Sequence, residues 1–233
     1  MEREANFGGI LNELSSLVVD ARRDLALYTL VMGGLATVGV VTGLTEPASG
    51  TFSYGFEVNA SDTPASALFD LVLAIASVVG TYWLLRRYLA ARGRLREGGN
   101  GFWHYLGLAI LSAFAIVFGL ILLIVPGVIL LVRWAAASGF LIGAGESVTG
   151  ALGASWTATN GHGWAIFFAG IVLFLVLIIV AVVVAVIFGV AGATAADVAS
   201  VFIEAAAGAL FAGFGIAVFC LVDDMQRIDE VFA

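Results

Sequence analysis

From Trp164 to Val190 the chain carries no charged side chain. Roughly 20 apolar residues suffice for a helix to cross the hydrocarbon core of a bilayer. This run exceeds that, so it reads as a transmembrane helix that must tilt or project. Five further apolar runs lie at about 25–44, 67–85, 104–125, 128–145 and 199–222. Composition agrees: 61% of the chain is hydrophobic and 12% charged, against roughly 45–50% and 25% in a soluble domain. The expectation is an all-α, polytopic membrane protein with six transmembrane helices, folded as one integral membrane domain over residues 1–233.

Two stretches outside these spans have helical amphipathic spacing. In 7–24, Phe7, Ile10, Leu11, Leu14, Leu17 and Val18 recur at intervals of three and four, with Asn12, Glu13, Ser15, Ser16, Asp20, Arg22 and Arg23 between them. That pattern suits a helix lying in the headgroup plane. In 146–163, Val148, Leu152 and Trp156 stand one turn apart before the stop Asn160-Gly161-His162-Gly163. Between the first two spans, Phe52, Tyr54, Phe56 and Val58 alternate with polar residues, which predicts a short extended segment. Asn59-Ala60-Ser61 within that loop matches a glycosylation sequon.

The ten basic residues are all arginine. With six alternating spans, Arg3, Arg22, Arg23, Arg86, Arg87, Arg92, Arg94, Arg96 and Arg227 fall on one side of the bilayer. The positive-inside rule makes that side cytoplasmic and places both termini there. Trp83, Trp103, Trp156 and Trp164 gather at the same interface, where amphipathic rings are favoured. The two amphipathic helices then lie on the cytoplasmic surface, and Arg92 sits in a solvated loop. No cleavable signal peptide is expected, since Glu2, Glu4, Glu13 and Asp20 crowd the start.

Val125-Pro126-Gly127-Val128 divides the third apolar run from the fourth. Pro126 lacks a donor and blocks helix continuation, and Gly127 tolerates a reversal, so these two residues are the expected hinge of a helical hairpin. Three charges lie inside spans: Asp70 in the second, Arg133 in the fourth and Glu204 in the sixth. Counted along straight helices, each falls roughly 5–10 Å below the outer end of its span. An outer-leaflet cluster Asp70–Arg133–Glu204 is therefore the candidate site. It reads as a buried salt bridge that fixes packing, with a ligand or ion site and snorkelling to the surface as the alternatives.

Other residues carry weaker signals. Glu146 suits a helix N-terminus by charge, and His104 and His162 sit at the same interface without ligands nearby in sequence. Cys220 is the single cysteine, which excludes an internal disulfide. Gly39/Gly43, Gly139/Gly143 and Ala209/Gly213 stand four apart and permit close helix approach. No phosphate loop, dinucleotide fingerprint, nucleophile elbow or paired metal-binding histidines occur. No cofactor or metal is expected, and the net charge of −7 argues against a nucleic-acid partner.

The run Val125-Pro126-Gly127-Val128 through Arg133-Trp134, followed by Glu146, Ala151-Leu152, Ser155-Trp156 and Thr159, resembles the membrane-domain family joined to glycerophosphoryl diester phosphodiesterases and its bacterial multi-pass relatives. The likeness is firmest over about 104–190. It implies an all-helical membrane domain with interfacial helices and brings no enzymatic activity, because no catalytic phosphodiesterase domain stands in these residues. The expected function is a non-enzymatic module of a bacterial cytoplasmic (inner) membrane. It would organise membrane lipid or a partner membrane protein, a second copy of the chain included. The alternative is a small transporter or channel built on Asp70, Arg133 and Glu204.

Overall fold

The computed structural model describes residues 6–45, 63–96 and 101–232, with side chains as far as Asp224. The extended segment expected at 52–58 and the Asn59 sequon lie outside these residues. Among the described residues every regular element is helical: α1 (Phe7–Asp20), α2 (Arg22–Thr42), α3 (Pro64–Ala91), α4 (Phe102–Leu122), α5 (Ile124–Arg133), α6 (Ala137–Gly139) running into a π-helical turn (Phe140–Ala144), α7 (Val148–Ala158), α8 (Gly163–Gly189) and α9 (Ala193–Phe232). Six helical stretches are long and apolar enough to cross a membrane: α2, α3, α4, the composite Ile124–Ala144, α8, and α9 as far as Asp224.

Ends differ from expectation where no breaker stands. α3 runs past Arg86 and Arg87 because nothing stops a helix before Gly93. There a Schellman cap closes it: Gly93 takes φ +64, Arg94 N–H donates to Leu89 O at 2.8 Å and Gly93 N–H to Ala90 O at 3.0 Å. α9 begins directly after Gly192 and absorbs Asp197, which leaves almost no loop before it.

The hairpin between α4 and α5 forms, but its reversal is not at Pro126–Gly127. The extended residue is Leu123, with φ −159 and ψ 132, and α5 starts at Ile124. Pro126 sits in the first turn of α5, where a missing N–H costs little. Gly127 serves close approach rather than a turn. Its backbone lies 3.1 Å from a Cβ built on Gly119, and a Cβ on Gly127 itself would come within 2.7 Å of Leu120 N.

The fourth apolar run is also not one straight helix. Ala137 N–H donates to Trp134 O at 3.0 Å, so the α-ladder breaks after Arg133. It resumes for a single turn and then widens into the π-helical turn. Gly145, at φ +79, ends that turn.

The chain divides into two compact units. One comprises 1–21, 85–172 and 212–233 and has a dense core. Tyr88, Phe219, Ile10, Leu17, Leu141, Ile142, Ile166 and Ile216 are fully buried in it. Cβ atoms on Gly139 or Gly143 would meet the Phe219 ring, which packs edge-on against Phe140 at 5.0 Å between centroids. The apolar stripe of α1 is part of this core: Ile10, Leu14 and Leu17 are buried, and Leu14 and Tyr88 close over Gly213.

The other unit comprises 22–84 and 173–211. Its helices touch through small residues, with the Phe202 ring against Gly33 and the Phe69 ring against Gly39. Tyr28 Oη and Thr81 Oγ1 are 3.3 Å apart. Leu30, Val31, Val41, Leu71, Val182 and Ile187 are exposed, a surface that is stable only in an apolar solvent.

Candidate functional site

Arg133 ends α5, and three neighbouring polar side chains converge on it from the α7 segment. Ser155 and Thr159 lie one turn apart on α7, both fully buried. The Ser155 hydroxyl donates to the Arg133 carbonyl at 2.7 Å, and the Thr159 hydroxyl, 2.8 Å from Ser155 O, lies 3.3 Å from the same Arg133 carbonyl. That carbonyl is available because the helical ladder breaks just beyond it. Beside them Asn160 Oδ1 accepts from Arg133 Nη2 at 3.2 Å, and the guanidinium lies 5.3 Å from the Trp156 ring centroid, within cation–π range. Arg133 Nη1 is closed off from solvent and has no acceptor. No described carboxylate of the same unit lies within ion-pair distance of this guanidinium. Its neighbours are a neutral amide and an aromatic face.

Thus α7 turns a different face inward from the one its apolar spacing indicates. Ala151, Leu152, Ser155, Ala158 and Thr159 are buried, while Trp156 is exposed. The hydroxyls win the inward position because Arg133 O needs donors that apolar side chains cannot supply. Ser147 is the N-cap of α7, its Oγ accepting from Gly150 N at 3.1 Å, and Glu146 Oε2 lies at the same helix start, 2.8 Å from a Cβ built on Gly150. The turn that follows carries Asn160, Gly161 and His162, with His162 Nδ1 3.1 Å from Asn160 O. It leads into α8, where Trp164 stands 75% exposed.

A second polar cluster lies in the same unit, where Arg92, Arg94 and Arg96 leave the α3 cap. Arg92 holds α1. Its Nη1 is 2.8 Å from Asp20 Oδ2, and its Nη2 donates to Ser16 Oγ at 2.6 Å and to Glu13 O at 3.3 Å. Its Nε lies 2.9 Å from Glu13 Oε1, an ion-pair contact off the line of a hydrogen bond. Arg94 pairs with Asp223 and Asp224 of α9. Arg96 Nη1 donates to Ala144 O at 2.8 Å, placing a cation on the last carbonyl of the π-helical turn. A shallow cleft lined by Gly93, Arg94, Leu95, Arg96, Gly143, Ala144 and Phe219 opens beside it.

Sequence reasoning missed this hub. Arg92, Arg94 and Arg96 stand at every second position around the Gly93 stop, and their acidic partners Glu13, Asp20, Asp223 and Asp224 lie far away in sequence. Asp70 and Glu204 belong to the other unit, in α3 and α9, both half-buried. Pro126 and Gly127 lie near the hairpin tip, six or seven residues before Arg133. His104 is exposed at the start of α4. Cys220 is a buried free thiol, and the described residues hold no group of three metal-ligating side chains. No family model matches the chain, and neither a curated protein nor a solved structure does.

Proposed function

We propose that the protein is a multi-pass module of a bacterial cytoplasmic membrane that organises lipid without catalysing a reaction on it, with Arg133 as its contact to a lipid phosphate. One observation carries this reading: a guanidinium set against a neutral amide and the exposed Trp156, with Nη1 lacking any acceptor. A buried donor left unmade costs about 1–3 kcal/mol. A phosphate oxygen entering beside Trp156, with a small rotation of the guanidinium, would supply the acceptor, and the planar fork of arginine matches phosphate well. Trp156 and Trp164 are exposed nearby, as rings at headgroup level are. Arg133, Ser155, Trp156 and Thr159, four of the residues on which the resemblance to the phosphodiesterase-linked membrane domains rests, meet at this point. The excess of arginine on one side supports cytoplasmic termini, with α1 and α7 on that side.

Native mass spectrometry from nanodiscs containing phosphatidylglycerol tests the reading. The parent should retain phospholipid, and Arg133→Gln should lose most of it while Arg22→Gln does not. Equal retention by all three would refute a role for Arg133. The same spectra report whether a second copy of the chain is bound.

A further inference from the structure

We infer that the α4–α5 hairpin does not cross the bilayer: it enters and leaves on the side of α7, reverses near the midplane, and is solvated by the acyl chains of a single leaflet. This inference needs only that the chain lies in a membrane; it does not depend on Arg133 binding phosphate.

The level of Arg133 provides the measure. Arg133 Nη2 is bonded to Asn160, and Val132 Cγ1 lies 3.9 Å from a Cβ built on Gly163. The lower end of α5 is therefore level with the turn Asn160-Gly161-His162 and the first residue of α8. That turn is polar, it is followed at once by the exposed Trp164, and α8 then runs uncharged to its end. A polar turn, a tryptophan and a long apolar helix mark where a span leaves the headgroup region.

From that level to the reversal α5 offers only Ile124–Arg133. At 1.5 Å per residue its rise is roughly 14 Å, about half of the ~30 Å hydrocarbon core. The two arms are registered at Gly119 and Gly127, the backbone of Gly127 lying 3.1 Å from a Cβ built on Gly119, so Arg133 falls opposite Ala113 on α4. The earlier turns of α4 run beside α7, with Val148 3.7 Å from a Cβ on Gly107, and carry the exposed Trp103 and His104.

Side-chain chemistry points the same way. No polar side chain occurs from Ala113 to Val132. The tip residues Ile121, Leu122, Leu123, Ile124 and Val125 are 62–75% exposed. A reversal that met water would carry turn-forming polar residues, as the turn before α8 does. Unpaired backbone donors are costly in lipid, and here they are few. Pro126 has no N–H, Leu123 N–H reaches Gly119 O at 3.0 Å and Gly127 N–H reaches Leu123 O at 3.5 Å. The chain would then cross the bilayer through α2, α3, α8 and α9, and both termini keep a common side.

Single cysteines at Leu123 and, in a second protein, at Leu122, each with Cys220→Ala, test this in phospholipid vesicles. Val190→Cys, at the far end of α8, and Trp164→Cys, at its near end, serve as controls for the two surfaces. Spin labels at 122 and 123 should show the highest ratio of oxygen to nickel-chelate accessibility in the set, with a depth near the bilayer centre. The same cysteines should resist an impermeant maleimide from both sides, whereas Val190→Cys and Trp164→Cys react from opposite sides. Labelling of position 122 or 123 from the Val190 side would show a full crossing and overturn the inference. Labelling from the Trp164 side would show that the hairpin is not inserted and would overturn it equally.

Discussion

Replacing Arg92 with leucine should release α1. Arg92 makes four contacts to that helix, and they differ in worth. The pair with Asp20, whose side chain is 51% exposed, is a surface salt bridge of about 0–1 kcal/mol. Glu13 is only 11% exposed at its side chain, so losing Arg92 strands a carboxylate that solvent reaches poorly. Hydrogen bonds to a charged group contribute about 1.5–3 kcal/mol, so the loss should total roughly 2–4 kcal/mol. That lies below the ~3–5 kcal/mol of a fully buried pair because water can relieve part of it. Amide hydrogen exchange over residues 7–20 reads the opening directly. With tenfold per 1.4 kcal/mol, exchange there should quicken by roughly 25- to 700-fold. Arg92→Leu combined with Glu13→Gln should recover much of the protection, because no orphan charge remains. Unchanged exchange in Arg92→Leu would refute the account of α1 as a helix clamped by this arginine. Arg133→Leu should disturb α1 far less, since its partners are a neutral amide and an indole.

Gly139→Val should lower thermal stability in detergent by about 1–3 kcal/mol through overpacking against Phe219, and a parent-like melting temperature would mean that this contact is loose. Tyr28→Phe removes the Thr81 partner and should cost about 0.5–1.5 kcal/mol, measurable in the same assay. With Cys220 removed, a cysteine at Ser53 should label from outside the cell and one at Gly98 only after permeabilisation; labelling of both from outside would overturn the arginine-based orientation.

The long apolar helices were legible because their signal is long and redundant. α8 was read to within a residue at each end: nothing in it competes with apolar continuity, and Gly163 and Gly189 bound it. α1 was legible as a helix, yet its stripe is used differently from the sequence reading. The same Ile10, Leu14 and Leu17 that suit a lipid surface are buried within the unit, since periodicity records that a face is apolar and not what covers it. Arg92 shows the complementary failure. A loop arginine looks solvated until a backbone cap aims it, and the cap depends on Gly93 adopting a positive φ. Glu13, Ser16 and Asp20, its partners on α1, lie more than seventy positions away in sequence, a separation no local pattern crosses.

The candidate cluster of Asp70, Arg133 and Glu204 rested on a ruler: residues counted along straight spans from the outer ends. The ruler holds in α3 and α9, which are continuous through Asp70 and Glu204. α5 is likewise unbroken from Ile124 to Arg133; beyond Arg133 the chain turns, resumes for three residues and widens into a π-helical turn. The cause is not a breaker residue, since none stands at 134–136. Ser155 takes the Arg133 carbonyl, with the Thr159 hydroxyl 3.3 Å away, and Ala137 N–H bonds Trp134 O instead. The level of Arg133 is therefore tied to α7 at one end of α5 and to the hairpin tip at the other. A hydroxyl pair four residues apart on the next helix, beside Trp156, was the only mark of this in the sequence. The basic residue of the fourth run lies beside Asn160 and the start of α8, and only the ten residues of α5 separate that level from the reversal.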